Sequence, residues 1–225
     1  MPSSSKTKAS SLTQESTIFM ALLFLSLILW FLYRGIFNFS VVFDETIGKA
    51  IFFGLPIWIY ISTTNDKAIG ESMTANKMTS GLLRGLAYGG LFGFAAILLA
   101  SITQGSSMVA APLFMADNFW GKFLLALLTA FWESLFFYSF IQTTIRKQFK
   151  QALSNWQQVL IVSLIFLLFH MSNIVLRFSD TAIMMQIILL YLFGLGQAII
   201  FAREKNVYTL ILTHTLWGMV LLIHF

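Results

Sequence analysis

The sequence predicts an all-α, polytopic membrane helix bundle of about seven transmembrane helices. Three observations predict it. Of the 225 residues, 58% are hydrophobic and only 10% are charged, whereas a soluble domain is about one quarter charged. The mean hydropathy is +0.81. Apolar runs of about 20 residues, the length that crosses a bilayer, recur between short polar stretches. The longest polar stretches are residues 1–16 and 63–84, too little for a soluble domain.

The N-terminal residues 1–15 are Ser/Thr-rich and carry Lys6 and Lys8, as expected of a cytoplasmic tail. The apolar run that follows is longer than the core of a signal peptide and has no clear small-x-small cleavage site, so it is expected to stay attached as the first membrane helix. The expected spans are Ser16–Tyr33, Ile47–Ser62, Gly85–Ile102, Lys122–Ile145, Gln157–Leu176, Thr181–Ala202 and Val207–Phe225. The segment Ser106–Phe119, around Pro112, is expected in the interface or as a re-entrant piece. If it crosses, the count becomes eight. This divides the chain into the tail, N-terminal membrane helices over 16–105 and a helical core over 106–225.

Charge sets the expected orientation. With the N-terminus in the cytoplasm, Lys6, Lys8, Lys67, Lys77, Arg84, Arg146, Lys147, Lys150, Arg203 and Lys205 fall inside. Arg34, Lys49, Lys122 and Arg177 fall outside. That obeys the positive-inside rule and fits a multi-pass protein of the plasma membrane. The net charge of +5 therefore reads as topology. No basic patch is interleaved with exposed aromatics, so nucleic acid is not an expected partner. The chain has no cysteine, which excludes disulfides, thiolate metal sites and cysteine nucleophiles.

Glycine recurs in the third span, and Gly85, Gly89 and Gly93 form a small-xxx-small face suited to close helix approach. Gly194 and Gly196 suggest the same in the sixth span. The 24 Phe and 6 Trp are expected mostly at lipid-facing or interfacial positions.

Ionisable side chains inside apolar runs are costly and need a reason. Glu133 lies in the Phe131–Gln142 run, with no other charge between Lys122 and Arg146. His170 lies two-thirds along the fifth span and His214 one-third along the seventh. At about 1.5 Å per residue, all three fall between the midplane and the cytoplasmic side. Three helices that each donate one inward polar group are a common way to build a site in a bundle. His224, next to the C-terminal residue, reads as interfacial.

One Glu and two His support a narrow chemistry. The carboxylate can take a proton from water, and a neutral imidazole can orient that water or protonate a leaving amine. Two His and one carboxylate can also ligate Zn²⁺ with one position open. Amide hydrolysis and proton relay both fit, and the residues alone leave metal-dependent and metal-free chemistry open.

These segments resemble the CPBP intramembrane proteases, also called the Abi or CAAX-protease-like family. Their pattern is Glu-Glu-x-x-x-Arg, then Phe-x-x-x-His, then His-x-x-x-Asn. The run Trp132–Gln142, W-E-S-L-F-F-Y-S-F-I-Q, aligns without a gap on a typical first motif. Phe166 and His170 match the second motif, and His214 falls on the last histidine. Ser134 replaces the second glutamate, Tyr138 the arginine and Gly218 the asparagine, so Asn173, Thr213 and the Trp217 indole are the candidates to supply the missing donor.

The resemblance implies an intramembrane endopeptidase of bacterial type, acting on a membrane-associated peptide or protein. Glu133 and His170 activate water and His214 stabilises the transition state. The same three residues are the ligands if a metal is used. Bacteriocin self-immunity and peptide maturation are roles linked to bacterial relatives. The missing motif residues suggest the alternative of a catalytically degenerate immunity or scaffold protein. A proton-coupled transporter is disfavoured because no internal repeat is visible.

Overall fold

A computed structural model describes residues 3–104, 118–177 and 180–224. The expected interfacial or re-entrant segment lies outside the described residues, except for Asn118 and Phe119. Among the described residues there are seven long helices and no strands. They are α1 Ser3–Ile36, α2 Val41–Thr64, α3 Met78–Gln104, α4 Phe119–Gln148, α5 Asn155–Arg177, α6 Asp180–Glu204 and α7 Val207–His224. Six carry an apolar stretch long enough to cross a bilayer, and α7 has a shorter one, Val207–Val220. The chain is a polytopic helical bundle, as its composition predicts.

The second span needs correction. Its helix starts at Val41, upstream of the expected Ile47, and takes Asp44, Glu45 and Lys49 into the bundle. These charges do not end the helix because each is paired. Asp44 binds Arg34 and the Tyr33 hydroxyl, the latter at 2.5 Å, and Lys49 binds Glu45. Lys49 therefore does not belong among the outer-face charges. The helix ends at Asn65, whose left-handed backbone (φ 53°) donates its N–H to the Ile61 carbonyl.

The third-span glycines face α7. A Cβ on Gly81, Gly85, Gly89 or Gly93 would meet Asn206, Thr209, Leu216 and Val220 respectively. The helices meet along this face because the glycines carry no side chain there. At Gly85 the obstacle is the Thr209 carbonyl oxygen, 2.8 Å away, which cannot rotate aside. Gly85→Ala is therefore expected to lower stability by about 1–3 kcal/mol, measured by reversible unfolding in detergent. Gly90→Ala, where a Cβ meets nothing within 4 Å, is the neutral control.

The N-terminal helices pack into the same bundle as the rest. Phe53 of α2 stacks on Phe136 of α4 with ring centroids 4.8 Å apart. Gly54 admits the Trp132 ring, which would lie 2.7 Å from a Cβ there. The Trp30 indole N–H of α1 donates to the Phe169 carbonyl of α5 at 3.0 Å. Phe53, Phe136, Phe137, Phe140, Phe166, Phe169 and Phe193 are all buried, so a large part of the phenylalanine forms a core rather than a lipid-facing coat. The same holds for Trp30 and Trp217, whereas Trp58, Trp120 and Trp156 are exposed. Hydropathy cannot make this distinction, because lipid and bundle interior are equally apolar.

Candidate active site

Helix α4 places the carboxylate. Ser134–Gln142, directly after Glu133, is wound as a wider helix, and the Thr143 N–H reaches back five residues to the Tyr138 carbonyl. Such widened turns often occur at functional sites. All nine residues are buried. Three of their four polar side chains are tied to neighbours. The Gln142 amide donates to the Ala198 carbonyl at 2.8 Å, the Tyr138 hydroxyl to the Gly194 carbonyl at 3.4 Å, and the Ser139 hydroxyl to the Ile69 carbonyl at 2.9 Å. Tyr138, where the family pattern has arginine, thus binds a carbonyl of α6. The Ser134 hydroxyl is buried with no hydrogen-bond partner among the described residues.

Glu133, His170 and His214 converge. The Nε2 atoms of His170 and His214 lie 3.4 and 3.5 Å from the same oxygen, Glu133 Oε2. All three side chains are mostly enclosed, with Glu133 only 2% exposed. The His170 Nδ1 is 2.8 Å from the Phe166 carbonyl. A carbonyl can only accept, so Nδ1 carries a proton, and Nε2 is the ring nitrogen that faces Glu133. The motif spacing explains this: Phe166 is one turn before His170, and its own ring lies 4.2 Å from the imidazole. The His214 ring packs edge-on against Phe193 at 4.9 Å. Oε2 of Glu133 accepts no hydrogen bond from the described residues, which leaves it an open acceptor position.

The other oxygen of Glu133 is occupied. Lys49 of α2, 3% exposed, donates both to Glu133 Oε1 and to Glu45 Oε2. The Thr129 hydroxyl of α4 also donates to Glu45 Oε2, at 2.8 Å. Sequence reasoning missed Lys49 and Glu45 as site residues. Their i, i+4 spacing, matched by Thr129 and Glu133 on α4, was the signal that could have found them.

The candidate replacements for the missing asparagine differ. The Thr213 hydroxyl is already engaged, donating to the Thr209 carbonyl at 2.7 Å. The Trp217 ring is stacked on Phe193. Asn173, one turn beyond His170, has a buried side-chain oxygen with no partner among the described residues. At Gly218 itself a Cβ would meet only the Ala126 methyl, at 3.5 Å. The His224 side chain lies outside the described residues.

A resident zinc ion does not fit these residues as they stand. Among the described residues, no group of three or more His, Cys, Asp and Glu side chains is arranged to hold a metal ion. The Lys49 ammonium on Glu133 also places a positive charge next to where a dication would sit. Two surface cavities, of about 220 and 450 Å³, lie elsewhere, beside the ends of α4 and α6 and the start of α5, the larger also bordered by the α2–α3 connection, and Glu133, His170 and His214 are not among their lining residues.

Residues 114–220 match a family model described as type II CAAX prenyl endopeptidase Rce1-like. The matched stretch is similar to the CAAX-protease family. The match covers all three converging residues, while Lys49 and Glu45 lie outside it. No curated protein and no solved structure matches the chain. At the level of that family the match points to an intramembrane endopeptidase, and the apolar helices to a multi-pass membrane protein.

Proposed function

We propose that the protein is an intramembrane endopeptidase that hydrolyses a peptide bond of a membrane-associated protein or peptide with water activated by Glu133. The observation that carries this reading is the convergence of two imidazole Nε2 atoms on one carboxylate oxygen. A water at that point donates one hydrogen to Glu133 Oε2 and is oriented by His170 Nε2. Glu133 takes the proton as the water oxygen adds to the scissile carbonyl, and later returns it to the leaving amine. His214 faces the developing charge on the carbonyl oxygen. The mechanism uses the carboxylate itself as base, in keeping with the Lys49 contact.

The orientation proposed is N-terminus in the cytoplasm of a cell with this protein in its plasma membrane. Lys147, at the end of α4, pairs with Glu15, where the apolar stretch of α1 begins, and with Asp66 after α2, at 3.0 and 3.1 Å. That puts these three ends on one side, together with the basic cluster Arg146, Lys147 and Lys150. Lys49 leaves the outer-face count, which strengthens the charge asymmetry.

The test is terminal-peptide mass spectrometry on membranes of host cells that express the wild type, Glu133→Gln or His170→Ala. New protein termini are expected with the wild type alone. Termini that persist in both variants would overturn the reading. Biological activity retained by Glu133→Gln would favour the second reading, a degenerate immunity or scaffold protein, which rests on Gly218 standing where the family has its asparagine.

A further inference from the structure

We infer that Lys49 is a positioning residue for Glu133, with Glu45 as its permanent counter-ion. This rests on the endopeptidase reading for its purpose, but its geometry stands apart from that reading. It also names two residues that lie outside the matched domain.

A buried ammonium between two carboxylates fixes the carboxylate it faces in two ways. It holds Oε1 of Glu133 on the α2 side, which turns Oε2 toward His170 and His214. It also supplies a charge-assisted hydrogen bond, shorter and stronger than a neutral one. The anchor itself is held from both helices. Glu45 and Lys49 are one turn apart on α2, Thr129 and Glu133 are one turn apart on α4, and the Thr129 hydroxyl fixes Glu45. The four side chains form a closed bracket between the two helices.

The charge count explains why two acids share one base. With Glu133 ionised, Glu45, Lys49 and Glu133 sum to one negative charge, and the extra carboxylate is the one that faces the histidines. In the hydrolytic step, a water O–H bond breaks and its proton bonds to Glu133 Oε2. The water oxygen bonds to the carbonyl carbon, and the C=O π electrons move onto the carbonyl oxygen. Glu133 is then neutral, and Lys49 still has Glu45. When the C–N bond breaks, the proton passes from Glu133 to the amine nitrogen and the starting arrangement returns. Glu45 thus spares the site an unpaired buried ammonium at every stage, a state that is strongly unfavourable.

The bracket takes the place of charge that the motif lacks. Ser134 and Tyr138 stand where the family pattern has a second glutamate and an arginine, and among the described residues no side-chain hydrogen bond or ion pair joins either to Glu133. The balancing charge comes instead from a helix 84 residues away in sequence.

The experiment uses the full-length protein in lipid nanodiscs and needs no substrate. Infrared spectra identify the Glu133 carboxylate band by its loss in Glu133→Gln. That band is expected to shift in Lys49→Met and to stay in place in Lys49→Arg. A purely structural role for Lys49, with no contact to Glu133, leaves the band unmoved, and that result overturns the inference. If Lys49→Met fails to fold, Lys49→Met with Glu133→Gln should recover folded protein, because the fully buried carboxylate is then neutral and only the partly exposed Glu45 is left without its partner. A double variant no better folded than the single one also overturns the inference. In the cellular assay, Lys49→Met should lower the rate at which wild-type termini appear by about 100-fold, as expected for a misplaced reacting group, and Lys49→Arg should restore most of it. Loss of the protease reading shows up separately, as termini that persist in Glu133→Gln while the infrared coupling is intact.

Discussion

Glu133→Gln is expected to slow peptide cleavage by about 100- to 10,000-fold, the range that a positioned general base supplies. Glutamine has nearly the same shape as glutamate, and its side-chain oxygen can still accept from Lys49. What it cannot do is take a proton from water. Glu45 continues to balance Lys49 in the variant, so no buried ammonium is stranded and the bundle should keep its unfolding midpoint. The rate at which wild-type termini appear in reconstituted membranes checks the first expectation, and thermal unfolding in detergent checks the second. A variant that is inactive but also unfolded would mean that Glu133 holds the bundle together rather than works in it.

The site was partly legible in the sequence for a physical reason. An ionisable group inside an apolar run is costly, so Glu133, His170 and His214 stand out, and helix rise alone puts them at compatible depths. The glycine face at Gly85, Gly89 and Gly93 is legible because only a missing side chain allows backbones so close. Lys49 was not legible in the same way. It follows Asp44 and Glu45 in a stretch whose polarity looks like a loop, and its partner lies on another helix. Polarity in a membrane sequence marks a helix end only when the charges are unpaired. Here each charge has a partner, and the helix runs through them. The phenylalanines failed for the opposite reason: Phe136 in the core and Phe24 on the surface have the same hydropathy, and only packing tells them apart.

The expected role of the α1–α2 corner follows from the same pairing rule. Asp44 is 4% exposed and Arg34 10% exposed, and the two are in direct contact. The Tyr33 hydroxyl donates to the other carboxylate oxygen of Asp44. Asp44→Ala removes both contacts and leaves the guanidinium nearly buried, with its Nε already lacking a hydrogen-bond partner among the described residues. Breaking one side of such a pair costs about 3–5 kcal/mol, which should appear as a large drop in stability on denaturant titration in micelles. The double variant Arg34→Met with Asp44→Ala should recover much of the loss, because no charge is then stranded. A single variant within about 0.5 kcal/mol of wild type, the usual range for surface changes, would show that water reaches this corner. The consequence extends to the site: Asp44 precedes Glu45 in the chain, and Glu45 and Lys49 sit on the first turns of α2. A loosened corner therefore releases the bracket around Glu133, and Asp44→Ala should lose activity at temperatures where the bundle is still folded.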